Sequence, residues 1–207
     1  MKLAIGDKNF SSWSMRPWVL LKHFGMPFEE VLINLYAPDS RAQLARVSPS
    51  GKVPCLVTDA GDAVWDSLAI METVAESYSQ HAMWPRDASD RARARSVSAE
   101  MHSGFGDLRQ NMPMEICTHA PGKGATPETL ANIARIEAIW GECLAKSGGP
   151  FLFGEFSIAD AMYAPVVMRF NTYAPELSAT SRAYAERVTA SPAVAEWIDG
   201  AKQEVAR

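Results

Sequence analysis

Ser48-Pro49-Ser50-Gly51-Lys52-Val53-Pro54-Cys55-Leu56-Val57, followed across an Asp59-Ala60-Gly61-Asp62 turn by Ala63-Val64-Trp65-Asp66-Ser67-Leu68-Ala69-Ile70, is the stretch on which the reading of this chain turns. Pro54 opens a short apolar run that reads as a strand. A proline cannot donate to a β-ladder, so it belongs at a strand start, and an X-Pro bond there is a candidate for the cis form. Such a bond leaves the Val53 N–H and C=O free for a ligand. Asp66-Ser67 precedes apolar residues at helical spacing (Leu68, Ile70, Met71, Val74), which makes Ser67 the expected N-cap. A helix start attracts anions, and the Asp66 carboxylate beside it offers a counter-charge for an ammonium. The pair is therefore suited to both ends of a zwitterionic amino-acid headgroup. Taken singly, Val-Pro is common strand punctuation and Asp-Ser a common cap. Their order and spacing are what suggest a site.

Outward from this stretch, residues 1–82 alternate strand-like and helix-like segments. Strands are expected over 3–5, 28–33, 55–57 and 63–65, and helices over 14–24, 40–47 and 67–78. That order, βαβαββα, is the thioredoxin-like one, an α/β unit. Residues 83–88 carry Pro85 without clear period and read as a linker. Residues 89–207 read as an all-α domain of five helices, the first running from Ser89 to Asn111 and stopped by Pro113. The rest are expected over 127–146, 157–173 with a kink near Pro165, 178–190 and 192–206. Thr126 and Ser191 precede Pro127 and Pro192 as caps, and Ser157-Ile158-Ala159-Asp160 reads as a capping box. Gly122-Lys123-Gly124-Ala125 reads as a flexible loop whose spacing is not that of a phosphate loop.

Twenty-four acidic and twenty basic residues give a net charge of −4, which does not draw the chain as a whole to nucleic acid or to an anionic membrane. No apolar run approaches the ~20 residues of a membrane span, and Met1-Lys2-Leu3-Ala4-Ile5 enters a strand directly, so a cytoplasmic location is expected. Cys55, Cys117 and Cys143 are odd in number and widely spaced, against a disulfide framework or a metal cluster.

Between the first strand and first helix lies Asn9-Phe10-Ser11-Ser12-Trp13-Ser14-Met15-Arg16-Pro17-Trp18. A redox thioredoxin-like protein carries Cys-x-x-Cys here. This chain has Ser-x-x-Ser, from Ser11 to Ser14. A hydroxyl cannot form a mixed disulfide, but it can donate a hydrogen bond to a thiolate and lower that thiol's pKa. For a free thiol near ~8.5, a drop of ~2 units, about 2.7 kcal/mol, makes the thiolate the major form at neutral pH.

The 48–70 stretch resembles the glutathione-binding half of the cytosolic glutathione transferase family. The resemblance implies that glutathione is bound as co-substrate, with no metal. Val53 would pair with its cysteinyl unit beside a cis Pro54, with Lys52 adjoining, while Asp66 and Ser67 would hold the γ-glutamyl end. Asp66 stands where glutamate is more usual. The loop at 9–18 resembles the Ser-Ser-x-Ser-x-Arg pattern of zeta-class members, which maps the catalytic serine onto Ser11, with Ser12 as runner-up and Ser14 as helix cap. Trp13 stands where that pattern has cysteine. Arg16 is read either as an ion pair to the second domain or as a group acting at the thiolate. The resemblance extends to the capping motif at 154–163 and implies a two-fold homodimer.

In the helical domain, Met101, Phe105, Leu108 and Met112 form one apolar stripe at helical spacing. Met101 and Phe105 are the residues expected to meet a second substrate, with Arg109 on the flank to neutralise an acidic one, whereas His102 reads as an interface histidine. The leading reading is a transferase that conjugates glutathione to a small hydrophobic electrophile, such as an aromatic halide, epoxide, activated alkene or peroxide. A maleylacetoacetate-type cis–trans isomerase and a non-catalytic scaffold are the alternatives.

Overall fold

Lys2-Leu3-Ala4-Ile5-Gly6 buries four of its five residues, so the first strand, β1 (Lys2–Gly6), lies inside a sheet and not at its edge. In the computed structural model, which describes residues 1–206, β1 runs parallel to β2 (Glu29–Ile33) and antiparallel to β3 (Cys55–Val57), which pairs with β4 (Ala63–Trp65). The sheet order is β2-β1-β3-β4. Helix α1 (Ser12–His23) connects β1 to β2, α2 (Ser40–Val47) leads toward β3, and α3 (Ser67–Ser77) follows β4. The thioredoxin-like order is as expected.

The second domain holds α4 (Ala88–Ser103), α5 (Gly106–Asn111), α6 (Pro127–Ser147), α7 (Ile158–Tyr173), α8 (Ala179–Ala190) and α9 (Pro192–Val205). Among the described residues it has six helices where five were expected, because the anticipated 89–111 helix is broken at Gly104-Phe105. Phe105 takes a left-handed conformation, φ 60°, and begins a separate helix. α7 is buried along all of its residues but Asn171 and central, packing against α1, α4 and α8, as a helix with so few polar residues must. It runs unbroken through Pro165. Asp160 closes the capping box by accepting from the Ser157 N–H and hydroxyl, each at 2.9 Å, and also accepts from Tyr184 Oη.

The 122–125 loop is pinned, contrary to the flexibility expected of its glycines. Gly122 N–H donates to the Tyr173 carbonyl at 2.8 Å, and a Cβ on Gly124, at φ +77°, would collide with the Asn111 carbonyl. One hydrophobic cluster runs through both domains, from Leu3 and Leu20 to Ile139 and Val194. α9 closes back on the first domain, where Trp197 Nε1 donates to the Lys8 carbonyl at 3.0 Å. No described helix is long and apolar enough to cross a membrane.

Candidate glutathione site and the adjoining cleft

The Val53–Pro54 peptide is cis. Val53 precedes the first paired residue of β3, so the sheet makes no use of its backbone groups. Across the gap, the chain turns sharply from β4 into α3 at Asp66, with φ 75°. Asp66, not Ser67, is the N-cap: its Oδ1 accepts from the Leu68 and Ala69 N–H groups at 2.9 and 3.3 Å. Ser67 is the first helical residue, and its buried hydroxyl accepts from Arg16 Nη1 at 3.3 Å. Asp66 Oδ2 lies 3.2 Å from His102 Nε2 of the other domain, so His102 is an interface residue. Lys52, Val53, Pro54, Trp65, Asp66 and Ser67 thus border one cleft of about 530 Å³.

Trp13 forms the wall between this cleft and a second, of about 380 Å³, bordered by Phe10, Ser12, Tyr36, Arg109 and Arg169. The indole sits against the guanidinium carbons of Arg16 and Arg109, 4.2 and 4.9 Å from its ring centroid, and edge-on to His102. The break at Gly104 explains where Arg109 lies. Short α5 turns it back over the end of α4, where its Nε donates to the Gly104 carbonyl at 3.0 Å and its Nη2 to the carbonyls of Met101 and His102. Orphan carbonyls of a helix end are satisfied in this way.

The two serines differ in orientation. Ser11 is the N-cap residue of α1, and its hydroxyl donates inward to Ser14 Oγ at 2.7 Å; Ser14 Oγ also accepts from the Gly6 N–H. Ser14 therefore lies inside the helix and ties it to β1, where a cap was expected. Ser12 borders the second cleft and its Oγ accepts from Arg169 Nη2 at 3.3 Å, which leaves the hydroxyl proton available for donation.

Met101, Leu108 and Met112 are wholly buried and Phe105 nearly so. Of the expected second-substrate residues, Arg109 alone borders the cleft among the described residues, while Met101 and Phe105 belong to the core. Arg169 was missed. The signal was present as an arginine inside the apolar run Val166-Val167-Met168-Arg169-Phe170. Burial and the neighbouring Arg109 push its pKa down to about 9. Arg16 is lowered well below its ordinary value by burial first, then by Arg109 and Arg169, and the nearby Asp66 only partly offsets this. Of the two readings of Arg16, the ion pair to the second domain is absent among the described residues. No group of three His, Cys, Asp or Glu side chains gathers there as a metal site.

Residues 10–77 match the model of the glutathione S-transferase N-terminal domain and residues 123–200 that of the C-terminal domain. A probable maleylacetoacetate isomerase of Caenorhabditis elegans is 26% identical over 172 residues, spanning 81% of this chain and 77% of that protein. The maleylacetoacetate isomerase of Pseudomonas aeruginosa is 35% identical over 103 residues, 48% of this chain and 47% of its own length. Among solved structures, a glutathione transferase homologue from Burkholderia with bound glutathione superposes with a TM-score of 0.76, covering 98% of each chain at 23% identity. With both domain models matched and the same two-domain architecture, the chain belongs to the glutathione S-transferase family.

Proposed function

We propose that this protein is a glutathione transferase, binding glutathione in the first cleft and conjugating its thiolate to an electrophile in the second. The observation that carries the reading is the convergence on one cleft of the unpaired Val53 backbone, the Asp66 carboxylate and the N-terminus of α3. An extended tripeptide needs these three contacts: main-chain pairing for its middle, a carboxylate for its ammonium, and the Ser67 N–H at the helix start, the one Asp66 does not cap, for its α-carboxylate. Lys52 adds a cation at the edge for the far carboxylate. Arg16, buried behind Ser67, reinforces the positive potential at the helix start.

The thiol would lie near Trp13, where the clefts meet the start of α1. Ser12 is the better placed donor to the thiolate, since its proton is free and its oxygen is held by a cation; Ser11, to which the zeta-like pattern points, is engaged with Ser14. Isomerisation is the second reading, favoured by the two relatives named as maleylacetoacetate isomerases. A homodimer is part of the proposal, tested by sedimentation. Calorimetric titration with glutathione, followed by the thiolate's ultraviolet absorbance in the complex, tests the main reading. Saturable binding with the thiol ionised below its free pKa is expected, and absence of binding would refute it.

A further inference from the structure

Three guanidinium groups, Arg16, Arg109 and Arg169, crowd around Trp13 and Ser12, and among the described residues none lies within 4.0 Å of a carboxylate. Arg16 and Arg169 are 0% and 4% exposed. Arg16 Nε and Nη2, Arg109 Nη1 and Arg169 Nε are buried without any hydrogen-bond partner. Buried cations are ordinarily paired, because removing one from water costs several kcal/mol that only a counter-charge offsets. The depressed pKa values of all three express the same conflict: each guanidinium is desolvated, and Arg109 repels both of the others. An arrangement unfavourable in the empty protein and relieved by an anion is what a ligand site requires.

Arg16 is turned toward Ser67 and the first cleft. Arg109 and Arg169 border the second, where Ser12 accepts from Arg169. Its outer part is aromatic: Phe10 and Tyr36 meet edge to face at 5.8 Å and stand 43% and 74% exposed. The cleft's carboxylate, Glu115, makes no ion pair among the described residues.

We propose that Arg169 and Arg109 form a seat for the carboxylate of the second substrate, so that the electrophile is an acid with a flat apolar body lying between Trp13 and the Phe10–Tyr36 pair. A guanidinium fork suits a carboxylate, which it can grip with two parallel N–H donors. The inference deepens the transferase reading and rests on it for the reaction, though not for the binding. With 4-chloro-3,5-dinitrobenzoate as probe, the glutathione sulfur bonds to the ring carbon bearing chlorine and the C–Cl bond breaks. Chloride leaves with the bonding pair, and the thiol proton has already passed to water.

The test compares acid with amide. In wild-type protein without glutathione, calorimetry should show 3,5-dinitrobenzoate binding at least tenfold more tightly than 3,5-dinitrobenzamide. With glutathione, kcat/KM for 4-chloro-3,5-dinitrobenzoate should exceed that for its amide by a similar factor. Arg169→Met should abolish the acid preference, and Arg169→Lys should keep part of it. Because Arg169 also touches Ser12, the acid-to-amide ratio is the readout: a general loss of turnover cancels from it. Equal binding of acid and amide by wild type would overturn the proposal, and so would a preference that persists in Arg169→Met. If that variant does not fold, the wild-type comparison and Arg169→Lys decide. Acid preference without glutathione binding would sustain the seat and refute the transferase reading, whereas the reverse would do the opposite.

Discussion

A single carboxylate, Asp66, has two tasks that substitution can separate. Its Oδ1 caps α3, and its carboxylate, met by His102 at Oδ2, borders the cleft. Asparagine caps a helix as well as aspartate does but carries no charge. Asp66→Asn should therefore leave the melting temperature within a degree or two while raising KM for glutathione more than it lowers kcat, because the lost contact is made equally in ground and transition states. Asp66→Ala should add a stability loss of about 1 kcal/mol in chemical denaturation. At the start of α1, Ser12→Ala should lower turnover by roughly ten- to a thousandfold, about 1.4–4 kcal/mol, with glutathione affinity little changed. Steady-state kinetics of the two alanine variants decide the assignment, and a larger loss in Ser11→Ala would return the role to Ser11.

Among the elements, α7 owes its position to Asp160, buried between Ser157, Leu152 and Tyr184. Burial raises its pKa from 3.8 to about 6, against the opposing pull of those hydrogen bonds. Between these values the folded protein holds a proton that the unfolded chain has released, so stability falls as pH rises through this window. Relative to Asp160→Asn, which cannot ionise, wild type should lose on the order of 2 kcal/mol between pH 4 and 7, measured by urea denaturation at each pH. This box was legible in the sequence, as were β3, β4 and α2, since caps, prolines and period-two alternation are local signals. The break before α5 was not: Gly104 hinted at it, but the left-handed Phe105 is held by packing and not by its own preference. For the same reason the stripe at 101, 105, 108 and 112 reads as one helical face yet comes from two helices. Likewise the cap of α3 fell one residue earlier than expected, because Asp66 adopts a positive φ that propensity does not favour. Arg109 was visible as a cation, whereas its pairing with Arg169 depends on α7 crossing behind α1, a tertiary relation that no local pattern records.

At the scale of the whole molecule, the shared core and the return of α9 join the two domains thermodynamically. Urea unfolding followed by tryptophan fluorescence and by far-ultraviolet dichroism should give one coincident transition. Trp197→Phe keeps an aromatic side chain but removes the indole N–H, leaves the buried Lys8 carbonyl without its donor, and should lower stability by at least about 1–3 kcal/mol without splitting that transition. Lys8 illustrates the dependence further: its ammonium pairs with Glu30 and, at 3.4 Å, with Glu204 near the far end of the chain, and its stem passes over Gly200. On the ribosome these partners are made at opposite times. Trp18 meets Trp197, and Lys8 its second carboxylate, only after α9 has left the exit tunnel, long after β1 and α1. The flank of α1 thus stays wet until α9 emerges, a span in which chaperones have access to it.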